Sequence, residues 1–294
     1  MFYVAKQVWL HTLVKSKYTK WGRECSSDEK EQIEMFESGV KWVNDVLDKG
    51  LAIKHELHLT SEGLDLVGEY IDTRASKTAV ILQGRTESLL YSYYFAKPYF
   101  DSDYNILVID PRGHGLSEGK YNSAGLVEYK DVIKWINLVK EKFGVTYFVI
   151  HGVCIGGATG IYAYINSKPD GLIKKLVVDG LYSSFYLSFK NHIIGQGKPV
   201  FPVLQLVMGY YVKKYQHVNM KKGPIDYINQ IDIPILFLHS YEDIYSTPDQ
   251  TAILYDMCAS KNKKIVWFNK GEHSRVRINN LDKYDEEITK FLQE

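Results

Sequence analysis

Short apolar runs alternate with helix-forming stretches over most of this chain, and this alternation constrains the fold more than any other feature. Runs rich in β-branched residues predict six strands, at 79–82, 106–109, 148–150, 176–178, 233–238 and 265–268. Helical stretches lie near 88–97, 123–142, 155–166, 248–260 and 281–293. Buried strands that alternate with helices form a mostly parallel sheet with helices on both faces. We therefore expect an α/β fold.

The first part of the chain has a different pattern. Residues 1–50 are predicted to form an N-terminal helical extension, with one helix over 28–49. Two alternating segments, 53–59 and 64–71, flank a turn and predict an antiparallel hairpin. The main domain is accordingly expected to span 51–294.

One interval interrupts the alternation. No strand is predicted between 181 and 231, where aromatic and apolar helical segments such as Phe185–Phe189 occur instead. An insertion of this size between two strands predicts a helical lid over the strand ends. Its aromatic residues favour an apolar acyl or aryl ligand.

Composition excludes several classes of protein. The formal net charge is +1, with 36 Lys and Arg against 35 Asp and Glu, so a nucleic acid partner is not expected. The chain has only three scattered cysteines, too few for a disulfide framework or a zinc site. The histidines show no ligand spacing either. We therefore expect a cytoplasmic protein with no metal and no cofactor.

The N-terminal stretch Met1–Leu10 is apolar but interrupted by Lys6, and it lacks the long run of a signal peptide or membrane span. Two interpretations remain open. The favoured one is a helix packed on the flank of its own domain, because most amphipathic helices face a core. The other is a weak contact with a membrane surface, with Trp9 at the interface.

The segment His151–Gly157 has the pattern of a nucleophile elbow with cysteine at its centre. A short apolar strand precedes it and a helix is predicted from Ile155. A strand that turns sharply into a helix lifts one side chain, here Cys154, above the sheet. The N-terminal end of the following helix then favours the thiolate, which is the reactive form of cysteine.

A base and an acid are predicted at the same edge of the sheet. Asp243 follows the strand predicted at 233–238, and His273 follows the strand predicted at 265–268. Loops at the carboxyl ends of parallel strands form the ligand crevice of an open α/β sheet. Cys154, Asp243 and His273 are therefore expected to lie close together.

These residues occur in the order of the α/β-hydrolase superfamily, which this sequence resembles from about Ile53 to its C-terminal end. The most distinctive matching segment is Asp110–Ser117, which resembles the D-x-R-G-H-G-x-S loop after strand four. The elbow, Leu82–Arg85, the Asp243 loop and Gly271–His273 also match. The chain resembles esterases and S9- or S33-type peptidases with helical lids, and its cysteine elbow resembles that of dienelactone hydrolases.

The resemblance implies a role for each residue of the predicted site. Cys154 is the expected nucleophile, His273 the base that accepts its proton, and Asp243 the acid that orients the imidazole. The backbone N–H of Ile155, and one in the loop after Gly84, expected from Arg85, are implied as oxyanion donors. The family pattern has a His-Gly pair at the start of that loop, where this chain has Gln83 and Gly84.

Alternatives remain at two positions. Asp179 and Glu242 are rival candidates for the acid, because each follows a predicted strand. Cys154 is also compatible with an inert buried cysteine, with a site that lost serine and most of its activity, or with an engineered replacement of serine. The glycines around Cys154 favour the elbow, because an inert core position does not need them.

The predicted function is hydrolysis of a carboxylic ester or thioester, a small-molecule acyl substrate, through an acyl-enzyme on Cys154. Peptide or lactone hydrolysis is an alternative. A second class of function is a catalytically weak protein that binds a small hydrophobic ligand. The sequence does not predict an oligomeric state.

Overall fold

The predicted strands assemble into one eight-stranded sheet in the computed structural model, which describes residues 1–294. The strands are β1 (Ile53–Ser61), β2 (Leu64–Asp72), β3 (Lys77–Leu82), β4 (Asn105–Ile109), β5 (Tyr147–Val153), β6 (Ile173–Asp179), β7 (Ile235–Ser240) and β8 (Lys263–Phe268). Their order in the sheet is β1-β2-β4-β3-β5-β6-β7-β8. The β1–β2 hairpin and the β2–β4 pair are antiparallel, and the other neighbours are parallel. The predicted α/β fold with a mostly parallel sheet is confirmed.

Helices connect the strands and precede the sheet. They are α1 (Phe2–Thr12), α2 (Lys30–Asp48), α3 (Leu89–Ser92), α4 (Lys97–Phe100), α5 (Tyr129–Phe143), α6 (Ile155–Ser167), α7 (Phe185–Gly195), α8 (Val203–Leu206), α9 (Lys213–Tyr215), α10 (Pro248–Met257), α11 (Val276–Asn279) and α12 (Leu281–Gln293). A π-helical segment, Val207–Val212, joins α8 to α9. Single 3₁₀ turns lie at Tyr93–Phe95, Lys168–Asp170, Pro224–Asp226 and Ile228–Gln230.

Strand β5 shows why the sheet is covered on both faces. Successive side chains of a strand point to opposite faces. Ile150 lies against Gly160 of α6 on one face. His151 lies on the other, with its ring 5.7 Å from that of Tyr99 in α4 and 6.2 Å from that of Tyr284 in α12. Both faces of β5 are buried, so its sequence is almost continuously apolar.

Two predicted helices begin or break at different places in the structure. The stretch near 88–97 divides into α3, a 3₁₀ turn and α4, and a proline near the start of α4 opens the new helix. The helix predicted from 123 begins only at Tyr129. The Glu128 carboxylate accepts the backbone N–H groups of Ser123 and Gly125, at 2.7 and 3.0 Å, and so holds 123–128 in turns.

The interval between β6 and β7 contains helices and no strand, and it lies next to the carboxyl ends of the strands. Helix α7 is joined to the loop after β7 by a hydrogen bond of 3.0 Å from Asn191 Nδ2 to the Tyr245 carbonyl. The Tyr182 hydroxyl donates to the Ala124 carbonyl at 3.1 Å, which fixes the start of the insertion. The insertion is therefore attached to loops on both sides of the elbow.

Helix α1 packs on this insertion. The Trp9 ring stacks at 5.4 Å on Tyr211 and at 5.1 Å on Tyr215, and it also stacks on Tyr121. The Tyr211 hydroxyl donates to the Phe2 carbonyl at 3.0 Å. Trp9 is thus buried inside the protein, and none of the helices combines the length and apolar character needed to span a membrane.

The segment between α1 and α2 is anchored across the ends of the strands. Arg23 forms ion pairs with Glu69 of β2 and with Asp110 after β4, at 2.8 and 3.0 Å. The Trp21 ring stacks on His114 at 4.3 Å. The N-terminal region is therefore an integral part of the edge of the sheet at which Cys154 lies.

The closest backbone approach around the elbow requires glycine. A Cβ atom on Gly156 would lie 2.2 Å from the Leu82 carbonyl oxygen of β3, and one on Gly152 would lie 2.2 Å from the Gly156 carbonyl carbon. These contacts are with backbone, which cannot rotate away as a side chain can. The glycines thus allow α6 to start directly against β3 and β5.

We expect Gly156→Ala to lower the free energy of unfolding by about 1–3 kcal/mol, because the added methyl group overpacks a rigid contact. Urea denaturation measures this value. Gly209→Ala is the matched control, since a Cβ there meets no atom within 4 Å in the helical part of the insertion. Equal stability of Gly156→Ala and wild type would contradict the packing argument.

Candidate active site

Cys154 occupies the turn between β5 and α6 and has a backbone conformation that is rare for a residue with a side chain. Its φ is 52° and its ψ is −110°. The Cys154 N–H donates to the Asp179 carbonyl at 2.8 Å, which ties the turn to the end of β6. Such strained backbones persist where the surrounding structure holds them, commonly at functional sites. The side chain lies at the wall of a pocket and is 8% exposed.

Asp243 and His273 are hydrogen-bonded. His273 Nδ1 lies 2.7 Å from Asp243 Oδ2, and this carboxylate is almost fully buried. The other oxygen, Oδ1, accepts the backbone N–H groups of Tyr245 and Ser246, each at 2.9 Å. The carboxylate is thus fixed by its own loop and fixes the orientation of the imidazole.

Charges around His273 favour its protonated form. Burial by itself would lower the pKa of His273, but attraction from the Asp243 carboxylate and from Cys154 outweighs burial and raises the pKa well above its ordinary value. Burial by itself would raise the pKa of Asp243. The interaction with His273, supported by hydrogen bonds from its own loop, outweighs burial and lowers the pKa of this carboxyl. The pair therefore favours the charged form of both groups.

The two rival acids have other partners. The Glu242 carboxylate accepts the Gly271 backbone N–H at 2.8 Å, and so joins the Asp243 loop to the His273 loop. Asp179 is completely buried and accepts the Tyr284 hydroxyl at 2.8 Å. Burial raises the pKa of Asp179 to about 7. Neither carboxylate is hydrogen-bonded to His273.

The two backbone N–H groups considered for the oxyanion are free. Neither the N–H of Ile155, at the start of α6, nor that of Arg85, after β3, donates a hydrogen bond within the protein. His114 Nε2 donates to the Arg85 carbonyl at 2.6 Å, which holds this loop in place. Burial lowers the pKa of His114 to about 4, so its ring is neutral at pH 7. His114 therefore positions the Arg85 loop.

A cavity of about 290 Å³ lies beside Cys154 and has two different walls. Phe185 and Phe189 of α7, together with Tyr245, form an apolar wall. The remaining lining is mostly polar and comprises Ser26, Ser27, Gln32, Gly84, Arg85, Thr86, Glu87, Ser188, His192, His273, Ser274 and Arg275. The sequence led us to expect apolar surroundings from the aromatic insertion, but that insertion forms only part of the pocket.

The N-terminal contribution to the pocket could not be predicted from the sequence. Ser26 and Ser27 lie in an irregular segment with no periodic pattern, and Gln32 lies on a helix that was expected to belong to a separate extension. Ser26 donates its backbone N–H to the Tyr91 hydroxyl at 3.1 Å, and Gln32 donates to the Glu87 carboxylate at 2.6 Å, so contacts with residues distant in the sequence hold them at the pocket. Neither at this pocket nor elsewhere is a group of three or more His, Cys, Asp and Glu side chains arranged to hold a metal ion.

Comparisons with known proteins agree with this architecture. Residues 78–199 match a sequence family described as the alpha/beta hydrolase fold. The uncharacterized Bacillus subtilis (strain 168) protein YqkD is 25% identical over 233 residues, which cover 78% of this chain and 76% of that protein. The Schizosaccharomyces pombe protein Bem46 is 25% identical over 192 residues, covering 65% of this chain and only 58% of the relative.

Solved structures share the fold at low sequence identity. An esterase from Pyrococcus furiosus superposes with a TM-score of 0.67 at 20% identity, covering 83% of this chain and 94% of that one. An acylaminoacyl peptidase from Pyrococcus horikoshii has a TM-score of 0.61 at 20% identity and covers 85% of this chain and 43% of that one. The architecture, the matching segment and these superpositions agree that the chain has the α/β-hydrolase fold.

We expect the pKa of His273 to lie above the ordinary histidine value of about 6.5 and to fall in Asp243→Asn. The substitution removes the negative charge that stabilises the imidazolium, while burial continues to oppose it. Histidine NMR titration measures both values. Asp249→Asn, which removes an exposed carboxylate, should leave the value unchanged, and a pKa that is insensitive to Asp243 would contradict the role of the ion pair.

Proposed function

We propose that this protein hydrolyses a carboxylic ester or thioester through a covalent acyl-enzyme on Cys154. The observation that carries the proposal is the hydrogen-bonded Asp243–His273 pair at the pocket that contains Cys154. A nucleophile, a base and an acid that orients the base together form an arrangement that supports covalent acyl transfer. The structural similarity to an esterase supports the proposal at the level of the fold.

In the first half-reaction the Cys154 thiolate attacks the acyl carbon while His273 carries the proton. A carbon–sulfur bond forms, and the bond to the leaving alcohol or thiol breaks as His273 transfers its proton to that group. Asp243 holds the imidazole in the tautomer required for both transfers. The product on the enzyme is a thioester.

In the second half-reaction water releases the acyl group. The water oxygen attacks the thioester carbon while His273 accepts a proton from the water. The carbon–sulfur bond then breaks. The carboxylic acid leaves and the Cys154 thiolate is restored next to a protonated His273. The free N–H groups of Ile155 and Arg85 are proposed to bind the oxygen that becomes negative in both steps.

The pocket favours a short substrate. Its volume of about 290 Å³ is at the lower end of the range for small-molecule sites. The wall of Phe185 and Phe189 suits an apolar part of the substrate, and the opposite polar wall suits a hydrogen-bonding part. Peptides and lactones are alternative substrates, and measuring kcat/KM for each class of substrate compares them with esters and thioesters.

Alkylation tests the nucleophile. We expect iodoacetamide at neutral pH to modify Cys154 first, because it lies on the pocket beside His273. Cys258 is buried, and burial raises the pKa of its thiol. Peptide mass spectrometry identifies the modified residue, and Cys25→Ala provides a control for the half-buried third cysteine. Modification confined to Cys25 or Cys258 would refute a reactive Cys154.

Kinetics test the base. We expect His273→Asn to lower kcat/KM for 4-nitrophenyl acetate by about a thousandfold or more, the range seen when such a base is lost. His217→Asn is the matched control, since His217 is an exposed residue of the insertion. Intact-mass measurement should detect an acetyl group on wild type and none on Cys154→Ala. If the wild-type protein hydrolyses no ester, thioester, lactone or peptide, the result would favour a protein that binds a ligand without catalysis.

A further inference from the structure

Arg85 differs from the other arginines that are withdrawn from solvent. Each of these has a carboxylate partner, namely Arg23, Arg112, Arg275 and Arg277. Arg85 is half-buried and has no carboxylate within ion-pair distance. A guanidinium that leaves water without an anionic partner is costly. No side chain of the protein therefore neutralises this charge.

Hydrogen bonding does not compensate for the missing charge. Arg85 Nη1 donates to the Thr12 carbonyl at 2.8 Å, and this is the only hydrogen bond of the side chain within the protein. A guanidinium has five N–H donors. The Nε and Nη2 donors on one edge remain free, and such an edge matches the two oxygens of a carboxylate.

The free charge lies in the catalytic pocket. Arg85 and Cys154 line the same cavity, and the Arg85 charge acts on both Cys154 and His192. Mainly through burial, and further through Arg85, the pKa of His192 is lowered to about 4, so this neighbour is neutral at pH 7. Glu87 is a carboxylate that lines the same cavity, but its oxygens accept hydrogen bonds from Gln32 and Gly84, at 2.6 and 2.9 Å, and it forms no ion pair with Arg85.

We propose that the Arg85 side chain binds a carboxylate of the substrate, so that the substrate is an ester or thioester that also carries a carboxylate. This inference rests on the hydrolase activity proposed above. Half-esters of short dicarboxylic acids are the simplest members of this class. Their apolar carbons would lie against Phe185 and Phe189, with the scissile carbonyl at Cys154 and the charged end at Arg85.

Another role for Arg85 gives a different experimental result. If Arg85 served the nucleophile instead of the substrate, its removal would change the reaction with every substrate equally. A carboxylate-binding role increases only the reaction of charged substrates. The ratio of kcat/KM for a charged and an uncharged substrate with the same scissile bond separates the two roles, because any common effect on the chemistry divides out.

The test uses wild-type enzyme and two matched pairs of esters. One pair is the mono-4-nitrophenyl ester of glutaric acid and its methyl-capped form, with the carboxylate on the acyl side. The other is 4-acetoxybenzoate and its methyl ester, with the carboxylate on the leaving-group side. We expect about tenfold or greater preference for the charged member of at least one pair, the effect of a charge-assisted hydrogen bond.

Two variants then assign the preference to Arg85. Arg85→Gln should reduce the charged-to-neutral ratio to near one, and Arg85→Lys should retain part of it, because the cation remains. Thermal unfolding of both variants checks that the Thr12 contact is not essential for folding. If neither variant folds, competitive inhibition of wild type by glutarate, compared with glutaramide, provides the same comparison.

The outcomes separate this inference from the proposed function. Hydrolysis of the neutral esters with no preference for either charged ester overturns the carboxylate site and leaves the hydrolase intact. An equal loss with charged and neutral esters in Arg85→Gln assigns the charge to the thiolate and also overturns the inference. Absence of hydrolysis of all four esters by wild type, with Cys154 unmodified, refutes the proposed function itself.

Discussion

The close approach of β3, β5 and the first turn of α6 is the constraint on which the rest of this site depends. Only glycine fits at 152 and 156, where a single methyl group would overlap backbone atoms. The chain can then turn from strand to helix within one residue, and Cys154 takes the strained conformation of that turn. Because the turn is made of backbone contacts, the position of the Cys154 backbone at the pocket does not depend on adaptable side chains.

Charge organises the space around this turn. Buried or half-buried arginines join distant segments, since Arg23 holds the N-terminal region against β2 and Arg277 pairs with Asp285 in α12. The Asp243–His273 pair follows the same principle, with each charge satisfied by a partner in the next loop. Arg85 is the exception, and its exceptional charge lies at the pocket. Among the buried and half-buried arginines, Arg85 is thus the one whose charge no carboxylate of the protein neutralises.

Much of the fold could be predicted from the sequence because its signals are local. The β-branched runs predicted all six parallel-sheet segments, and the alternating pattern predicted the β1–β2 hairpin. Spacing also predicted that Asp243 and His273 lie at one edge of the sheet, since both directly follow strands. Helix starts were less predictable. At Glu128 a carboxylate competes for backbone N–H groups and delays α5, an effect that depends on side-chain geometry and not on periodicity.

The sequence by itself determined the sheet, the elbow and the order of Cys154, Asp243 and His273, because strand and turn preferences act over a few residues. Only the tertiary structure decided which carboxylate contacts His273, since Asp179 and Glu242 follow strands as Asp243 does. It also decided that the N-terminal segment forms one wall of the pocket and that Arg85 has no partner. These properties depend on distances between residues far apart in the chain, on which local sequence patterns carry no information.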